Sequence, residues 1–128
     1  AGAPSRVDFV GWLSRDDVAR RMLSARALVM PTEWYEPFGM VLIEAMSAGV
    51  PIVTTTMAGA RAIVGASDEL VVPPRRPAAL AAALDALDDT TVDAEGAANR
   101  ARYEATYTEQ RGLDELLAAY ATAIGESA

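Results

Sequence analysis

Short continuous apolar runs alternate along this chain with longer stretches in which apolar residues recur at helical spacing. The continuous runs predict four strands, over residues 7–11, 27–30, 51–55 and 69–72, as expected for parallel strands covered on both faces. The intervening segments predict helices over residues 14–25, 40–47 and around 60–64. Alternating strands and helices predict an α/β domain with a parallel sheet and helices on both faces.

The helix ends carry recognisable signals. Ser14 followed by Asp17 resembles a capping box at the start of the first helix. Pro77 suits the first position of a later helix, whose apolar residues recur at i, i+3, i+4 and i+7. Residues 93–107 carry a weak alanine stripe and residues 113–124 a clean apolar stripe, in which Tyr120 is expected to be a core residue. The chain from about 93 to 128 is therefore predicted to be helical.

Two glutamates lie eight positions apart around the glycine that precedes the helix of residues 40–47. Pro37 biases Glu36 toward extended backbone, so Glu36 belongs to a loop, whereas Glu44 lies about 7.5 Å along the helix from Gly39. A helix start offers free N–H groups and the positive end of a dipole, which suits a phosphate. Glu36, the Gly39 amides and Glu44 could thus read the sugar, diphosphate and ribose of a sugar nucleotide.

The surroundings of Glu44 favour a functional role over that of an ordinary solvated residue. Its neighbours in the helix are apolar on nearly every side, which predicts a buried helix, and a buried carboxylate is costly without partners. Glu44 is therefore expected to face a cleft. Phe38 and Met40 are expected to pack in the core or in the cleft wall. Trp34 and Tyr35 either stack on a sugar or pack the loop against the sheet edge.

The run E-P-F-G-M-V-L-I-E-A-M-S-A-G-V-P-I-V-T at residues 36–54 resembles the C-terminal domain signature of the GT-B glycosyltransferases, especially the retaining enzymes of glycosyltransferase family 4. The flanking runs at 7–14 and 27–32 agree with it. The resemblance covers essentially the whole chain. It implies a Rossmann-like fold that is part of the C-terminal domain of the GT-B fold, with residues 1–128 as a partial nucleotide-sugar-binding domain.

The family's site residues transfer to matching positions. The resemblance implies that Glu36 is catalytic and contacts the hydroxyls of the donor sugar, and that Glu44 holds the ribose. It assigns the sugar and diphosphate to the backbone around the helix start, formed by Phe38, Gly39, Met40 and Val41. The loop near Leu13 and Arg15 corresponds to the place where such enzymes hold the nucleobase. No metal and no cofactor is implied, because the nucleotide sugar is a substrate.

The length of 128 residues is that of one domain, whereas the resembled enzymes have two Rossmann-like domains with the active site between them. The resemblance thus implies a fragment that lacks the N-terminal acceptor domain and is inactive alone. In a sheet ordered 3-2-1-4-5-6, the strand at 7–11 would lose its neighbours. We expect it to move in beside residues 27–30, giving a four-stranded sheet with an exposed edge through which a homodimer could form.

Composition excludes several classes of function. The chain has no histidine, cysteine or lysine, which removes zinc sites, disulfides, thiol catalysis, Schiff bases and a P-loop from this segment. The net charge of −7 argues against nucleic acid as a partner. No apolar run reaches eighteen residues, so no transmembrane span is predicted. The resemblance implies a cytoplasmic protein, and the sequence makes no prediction about peripheral membrane contact.

The sequence therefore predicts the donor-binding part of a metal-independent, retaining glycosyltransferase that transfers a sugar from a nucleotide-sugar donor to an acceptor. Two alternatives stay open. One is an enzyme similar to the nucleotide-sugar 2-epimerases, which share the GT-B fold. The other is a non-catalytic nucleotide-binding or interaction module on the same scaffold.

Overall fold

The computed structural model describes residues 7–35, 38–65 and 68–125. In chain order the elements are α1 (Arg15–Ser24), β1 (Leu28–Met30), α2 (Met40–Ser47), β2 (Ile52–Thr55), α3 (Ala58–Val64), β3 (Val71–Val72), α4 (Pro77–Asp85), α5 (Asp89–Thr106) and α6 (Glu109–Ala123). A single 3₁₀ turn, Asp68–Leu70, leads into β3.

The three strands form one parallel sheet in the order β1-β2-β3. Leu28 lies opposite Ile52, and Thr54 lies opposite Val71. All four side chains of the central strand β2 are buried, because helices cover both faces of the sheet. This arrangement confirms the predicted α/β class.

Each face of the sheet has its own apolar cluster, since successive strand side chains point to opposite faces. Ile52 belongs to the first cluster, with residues of α2 and α3 and with Met22 of α1. Val53 belongs to the second cluster, with Ala83 of α4 and Leu87 just beyond that helix. Burial of each large side chain contributes about 1.5–3 kcal/mol, so both clusters hold the helices to the sheet.

The helix ends follow the local signals in the sequence. Ser14 is the N-cap of α1, and its hydroxyl accepts a hydrogen bond from the Asp17 amide. The Ser14 hydroxyl also donates to the Asp17 carboxylate, which with the Arg20 guanidinium lowers the pKa of Asp17. Gly49 follows α2 with a φ of 68°, a left-handed conformation that favours glycine. Pro77 begins α4, as predicted.

Helix α5 packs closely against the turn that joins α2 to β2. A Cβ atom on Gly96 would lie 2.4 Å from the Gly49 carbonyl oxygen, so only glycine permits this approach. The buried Asn99 donates a hydrogen bond of 2.8 Å to the Val50 carbonyl. The Arg100 guanidinium donates to the carbonyl of Ser47, at the end of α2. These contacts attach α5 to the carboxyl end of α2.

Two expectations about the chain ends are wrong. Residues 7–11 form no strand, and Phe9 and Trp12 are 97% and 99% exposed. An extended run becomes a strand only through pairing, and no described strand pairs with these residues, so the described sheet has three strands rather than the expected four. Tyr120 is exposed with the rest of the apolar stripe of α6, because no other described element packs closely on that helix.

Candidate functional site

The amino end of α2 lies at the end of a short loop that leaves β1. Gly39 is the N-cap residue, and among the described residues no side chain caps this helix start. The Leu42 amide is already bonded to the Gly39 carbonyl at 2.9 Å. The amides before it are the donors that a helix start offers to an anion. Glu36 and Pro37 lie outside the described residues.

Gly39 is buried against the helix that it begins. A Cβ atom there would lie 3.0 Å from Leu42 Cδ1 and 3.5 Å from the Met30 methyl carbon, so a side chain would force Leu42 to move. Phe38 and Met40, on either side, are 52% and 58% exposed. The expected core packing of these two residues is therefore wrong, since both lie at the surface beside the helix start, whereas a position in the cleft wall stays a prediction. Val41 is partly buried against the first cluster.

Glu44 lies on the exposed side of α2, whereas Leu42, Ile43, Ala45 and Met46 are buried. The expectation that α2 is buried on every side is therefore wrong for the side that carries Glu44. Glu44 lines a cavity of about 350 Å³ between α1 and α2, so it faces a cleft, as expected. The cavity is lined by Arg15, Asp16, Val18, Ala19, Met22, Leu23, Glu44, Ser47 and Ala48.

The cavity brings Arg15 and Glu44 together, although they are 29 positions apart in the sequence. Leu13 is partly buried but does not line this cavity. The apolar wall comes mainly from Val18, Met22 and Leu23, which form the apolar side of α1. The sequence predicted this helix but not its role as a cavity wall, because the packing of α1 beside α2 is not encoded locally. Apolar walls with a few polar groups are typical of small-molecule sites.

A second, smaller cavity of about 190 Å³ lies at the carboxyl edge of the sheet, and Thr55 and Val72 contribute to its lining. Glu33, in the loop after β1, and Arg75, in the loop after β3, line it as an ion pair of 2.9 Å. Open α/β sheets bind ligands at this edge. Arg75 is at the surface, but the sequence did not predict its partner.

Trp34 and Tyr35 protrude from the loop between β1 and α2. They are 82% and 71% exposed, so they do not pack the loop against the sheet edge. The Thr32 hydroxyl fixes their backbone, since it accepts a hydrogen bond from the Trp34 amide at 3.2 Å. Stacking of these rings on a sugar stays a prediction.

The fold and the site define an open α/β domain with an accessible helix start at one edge of its parallel sheet and a cavity beside the same helix. The chain belongs to the group 1 glycosyl transferases, whose family profile matches residues 1–107. In the described part of the chain, no helix is long and apolar enough to cross a membrane.

The chain is similar to three proteins that transfer or build sugars. It is 36% identical over 99 residues to the glycogen synthase of Mycobacterium tuberculosis, covering 77% of this chain and 24% of that protein. It is 34% identical over 130 residues to the D-inositol 3-phosphate glycosyltransferase of Mycobacterium marinum, covering 98% of this chain and 28% of that protein.

The third is a solved structure, the sucrose-phosphate synthase of Thermosynechococcus elongatus. It has a TM-score of 0.83 and 30% identity, and the match covers 95% of this chain and 31% of that one. This likeness supports the GT-B expectation. The chain thus spans 24% to 31% of the length of these three relatives.

Proposed function

We propose that this chain is the donor-binding part of a retaining glycosyltransferase that takes its sugar from a nucleotide-sugar donor and needs no metal. The observation that carries the proposal is the common cavity of Arg15 and Glu44 along the same helix, α2, whose uncapped start offers free amides. Membership of the group 1 glycosyl transferases supports it. The acceptor would bind to a further domain.

The diphosphate of the sugar donor would bind at the start of α2. The first-turn amides around Met40 and Val41 supply hydrogen-bond donors, and the helix dipole adds a partial positive charge. As the glycosidic bond to the diphosphate breaks, negative charge builds on the leaving phosphate. Fixed N–H groups that meet this charge stabilise the transition state more than the ground state.

The nucleoside would occupy the cavity between α1 and α2. Glu44 would accept hydrogen bonds from the two ribose hydroxyls, and the base would lie against the apolar wall of α1 with Arg15 at its edge. Charge-assisted hydrogen bonds of this kind are stronger than neutral ones. Glu36 would orient the hydroxyls of the donor sugar on the other side of the diphosphate.

Retention follows if the acceptor hydroxyl attacks on the face from which the diphosphate departs. The acceptor oxygen forms the new bond to the anomeric carbon, the bond to the phosphate oxygen breaks, and the departing phosphate takes the acceptor's proton. In this scheme no side chain of the chain has to act as general base. The role of its residues is positioning and charge stabilisation.

The test is to titrate the full-length protein with the nucleoside diphosphate. Glu44→Ala should cost about 1.5–3 kcal/mol of binding free energy, roughly a 10- to 150-fold loss of affinity. Glu36→Ala should lower turnover more than this affinity. Glu115→Ala is the matched control, because Glu115 is an exposed helix residue on α6, away from the cavity. Equal affinity losses at Glu36 and Glu44, or none at Glu44, would refute the assignment.

Product analysis separates the proposal from its alternatives. The full-length protein is incubated with nucleotide sugars, with and without carbohydrate acceptors, and the products are separated by chromatography. Glycosylated acceptor with the donor's anomeric configuration supports the proposal. An epimerised nucleotide sugar would indicate an epimerase, and binding without turnover would indicate a non-catalytic module.

A further inference from the structure

Arg75 has an unfavourable backbone conformation. Its φ of 59° makes it the one residue other than glycine with a positive φ in the described ranges. For a residue with a Cβ atom, the left-handed region costs about 1–2 kcal/mol, whereas glycine adopts it freely. The backbone of this turn therefore favours glycine, and the arginine side chain needs another explanation.

The Arg75 side chain links two loops that are far apart in the sequence. Its Nε donates a hydrogen bond of 2.9 Å to Oε2 of Glu33, so the loop after β3 is joined to the loop after β1 across 42 positions. The two side chains are 79% and 47% exposed. An exposed ion pair adds little to global stability. Stability alone therefore does not explain why arginine stands at this position.

The loop that receives this ion pair is also fixed by hydrogen bonds from the central strand. Thr54 Oγ1 donates to the Met30 carbonyl at 2.9 Å, and Thr55 Oγ1 donates to the Thr32 carbonyl at 2.7 Å. Hydrogen bonds from β2 thus hold the loop as far as Thr32. Glu33 comes next, and its partner is Arg75. Among the described residues, this ion pair is the last such link between the carboxyl edge of the sheet and the loop after β1.

The ion pair lies at the wall of a cavity. Glu33 and Arg75 are both part of the lining of the cavity of about 190 Å³ at the carboxyl edge. Loss of the ion pair would remove the link between Glu33 and the loop after β3. Residues 33–35 would then be less ordered.

We propose that Arg75 is a positioning residue that acts through Glu33 to hold the loop carrying Glu36. The proposal rests on the proposed function, in which Glu36 orients the donor sugar. Arg75 contributes no chemistry and contacts no substrate. Its effect is on the conformation of residues 33–35, which precede Glu36 in the chain, and hence on turnover rather than on nucleotide affinity.

The main test uses Arg75→Gly in the full-length protein, since glycine adopts the left-handed conformation without strain and removes the side chain. We expect kcat to fall about two- to fivefold, the equivalent of one exposed ion pair, while nucleoside diphosphate affinity stays the same. The melting temperature should stay the same or rise. A role confined to stability would instead lower the melting temperature, and a lowered value would overturn the proposal. Arg76→Ala, which removes the neighbouring exposed arginine, should leave all three quantities unchanged.

A double-mutant cycle tests the partner. Glu33→Ala should give the same fall in kcat, and combining it with Arg75→Gly should add nothing further, because both variants remove one interaction. Exchanging the charges, with Glu33→Arg and Arg75→Glu together, should restore part of the rate. Additive losses in the cycle would overturn the proposal.

Hydrogen exchange measured by mass spectrometry provides a readout that does not need sugar transfer. Amides of residues 33–35 should exchange several-fold faster in Arg75→Gly and Glu33→Ala, with no change in α5. If the parent protein transfers no sugar, the proposed function fails, and the exchange rates still decide whether Arg75 orders this loop. Unchanged exchange in both variants would overturn the inference.

Discussion

Replacing Gly96 by alanine tests whether α5 packs against the α2–β2 turn as closely as described. The new Cβ atom would lie 2.4 Å from the Gly49 carbonyl oxygen, and real Cβ atoms essentially never approach within 3.0 Å. The obstacle is backbone, so no side chain can rotate away. Either α5 or the turn must move.

The expected magnitude comes from two opposing terms. Alanine in a helix interior is favoured over glycine by about 0.5–1 kcal/mol. Overpacking of a tight contact costs about 1–3 kcal/mol. Gly96→Ala should therefore be neutral to destabilising by about 2 kcal/mol.

Gly112→Ala supplies the matched control. Gly112 lies in α6, and a Cβ atom there would have no other atom within 4 Å. This variant should therefore raise the free energy of unfolding by the full propensity difference, roughly 0.5–1 kcal/mol. The free energies of unfolding of the two variants should differ by about 1–3 kcal/mol. For a domain of this size, each kcal/mol corresponds to about 4 °C in melting temperature. Calorimetry of both variants in the same protein measures the difference. If Gly96→Ala is stabilised as much as Gly112→Ala, the close approach of α5 is refuted.

Two further substitutions test the ends and contacts of α5. Asn99→Ala leaves the buried Val50 carbonyl without its partner and should lower the free energy of unfolding by about 1–3 kcal/mol; an unchanged urea midpoint would contradict this. The Thr91 amide donates to the Asp88 carboxylate at 2.7 Å and lowers the pKa of Asp88 below its ordinary value. The capping contribution is therefore complete above the unfolded pKa and lost as the pH falls through the lower folded pKa. Asp88→Ala should lower the melting temperature at neutral pH and reduce its decline in acid, and equal acid dependence in both proteins would count against the cap.

Sequence alone predicted the parts of the fold that depend on neighbouring residues. The cap at Ser14, the bounds of α2 and the start of α4 at Pro77 were predicted correctly, because these signals act within one helical turn. The strand at residues 7–11 was wrong because a strand depends on a distant partner, which an apolar run does not specify. The helix that carries the C-terminal apolar stripe, α6, was predicted correctly. The stripe itself does not specify which element covers it.

The same division applies to the candidate site. A cleft position for Glu44 was predictable, since its helix is otherwise apolar, and the structure adds Arg15 to the same cavity. The ion pair of Arg75 with Glu33 was not predictable, because nothing in the sequence marks an arginine that adopts a left-handed backbone. The role of Asn99 was missed for a similar reason: a single buried amide among alanines leaves no periodic signal.

Because α5 is attached to the carboxyl end of α2, a small tilt of α2 at that end would move its amino end. Its eight residues span about 12 Å, so a tilt of about 5° at the attached end would displace the opposite end by about 1 Å. A misplacement of about 1 Å near reacting atoms can cost about 100-fold in rate. Gly96, Asn99 and Arg100 contact the attached end, while the first-turn amides are at the other. If those amides bind the diphosphate as proposed, small changes of side-chain volume on α5 would shift them and so change the rate of sugar transfer.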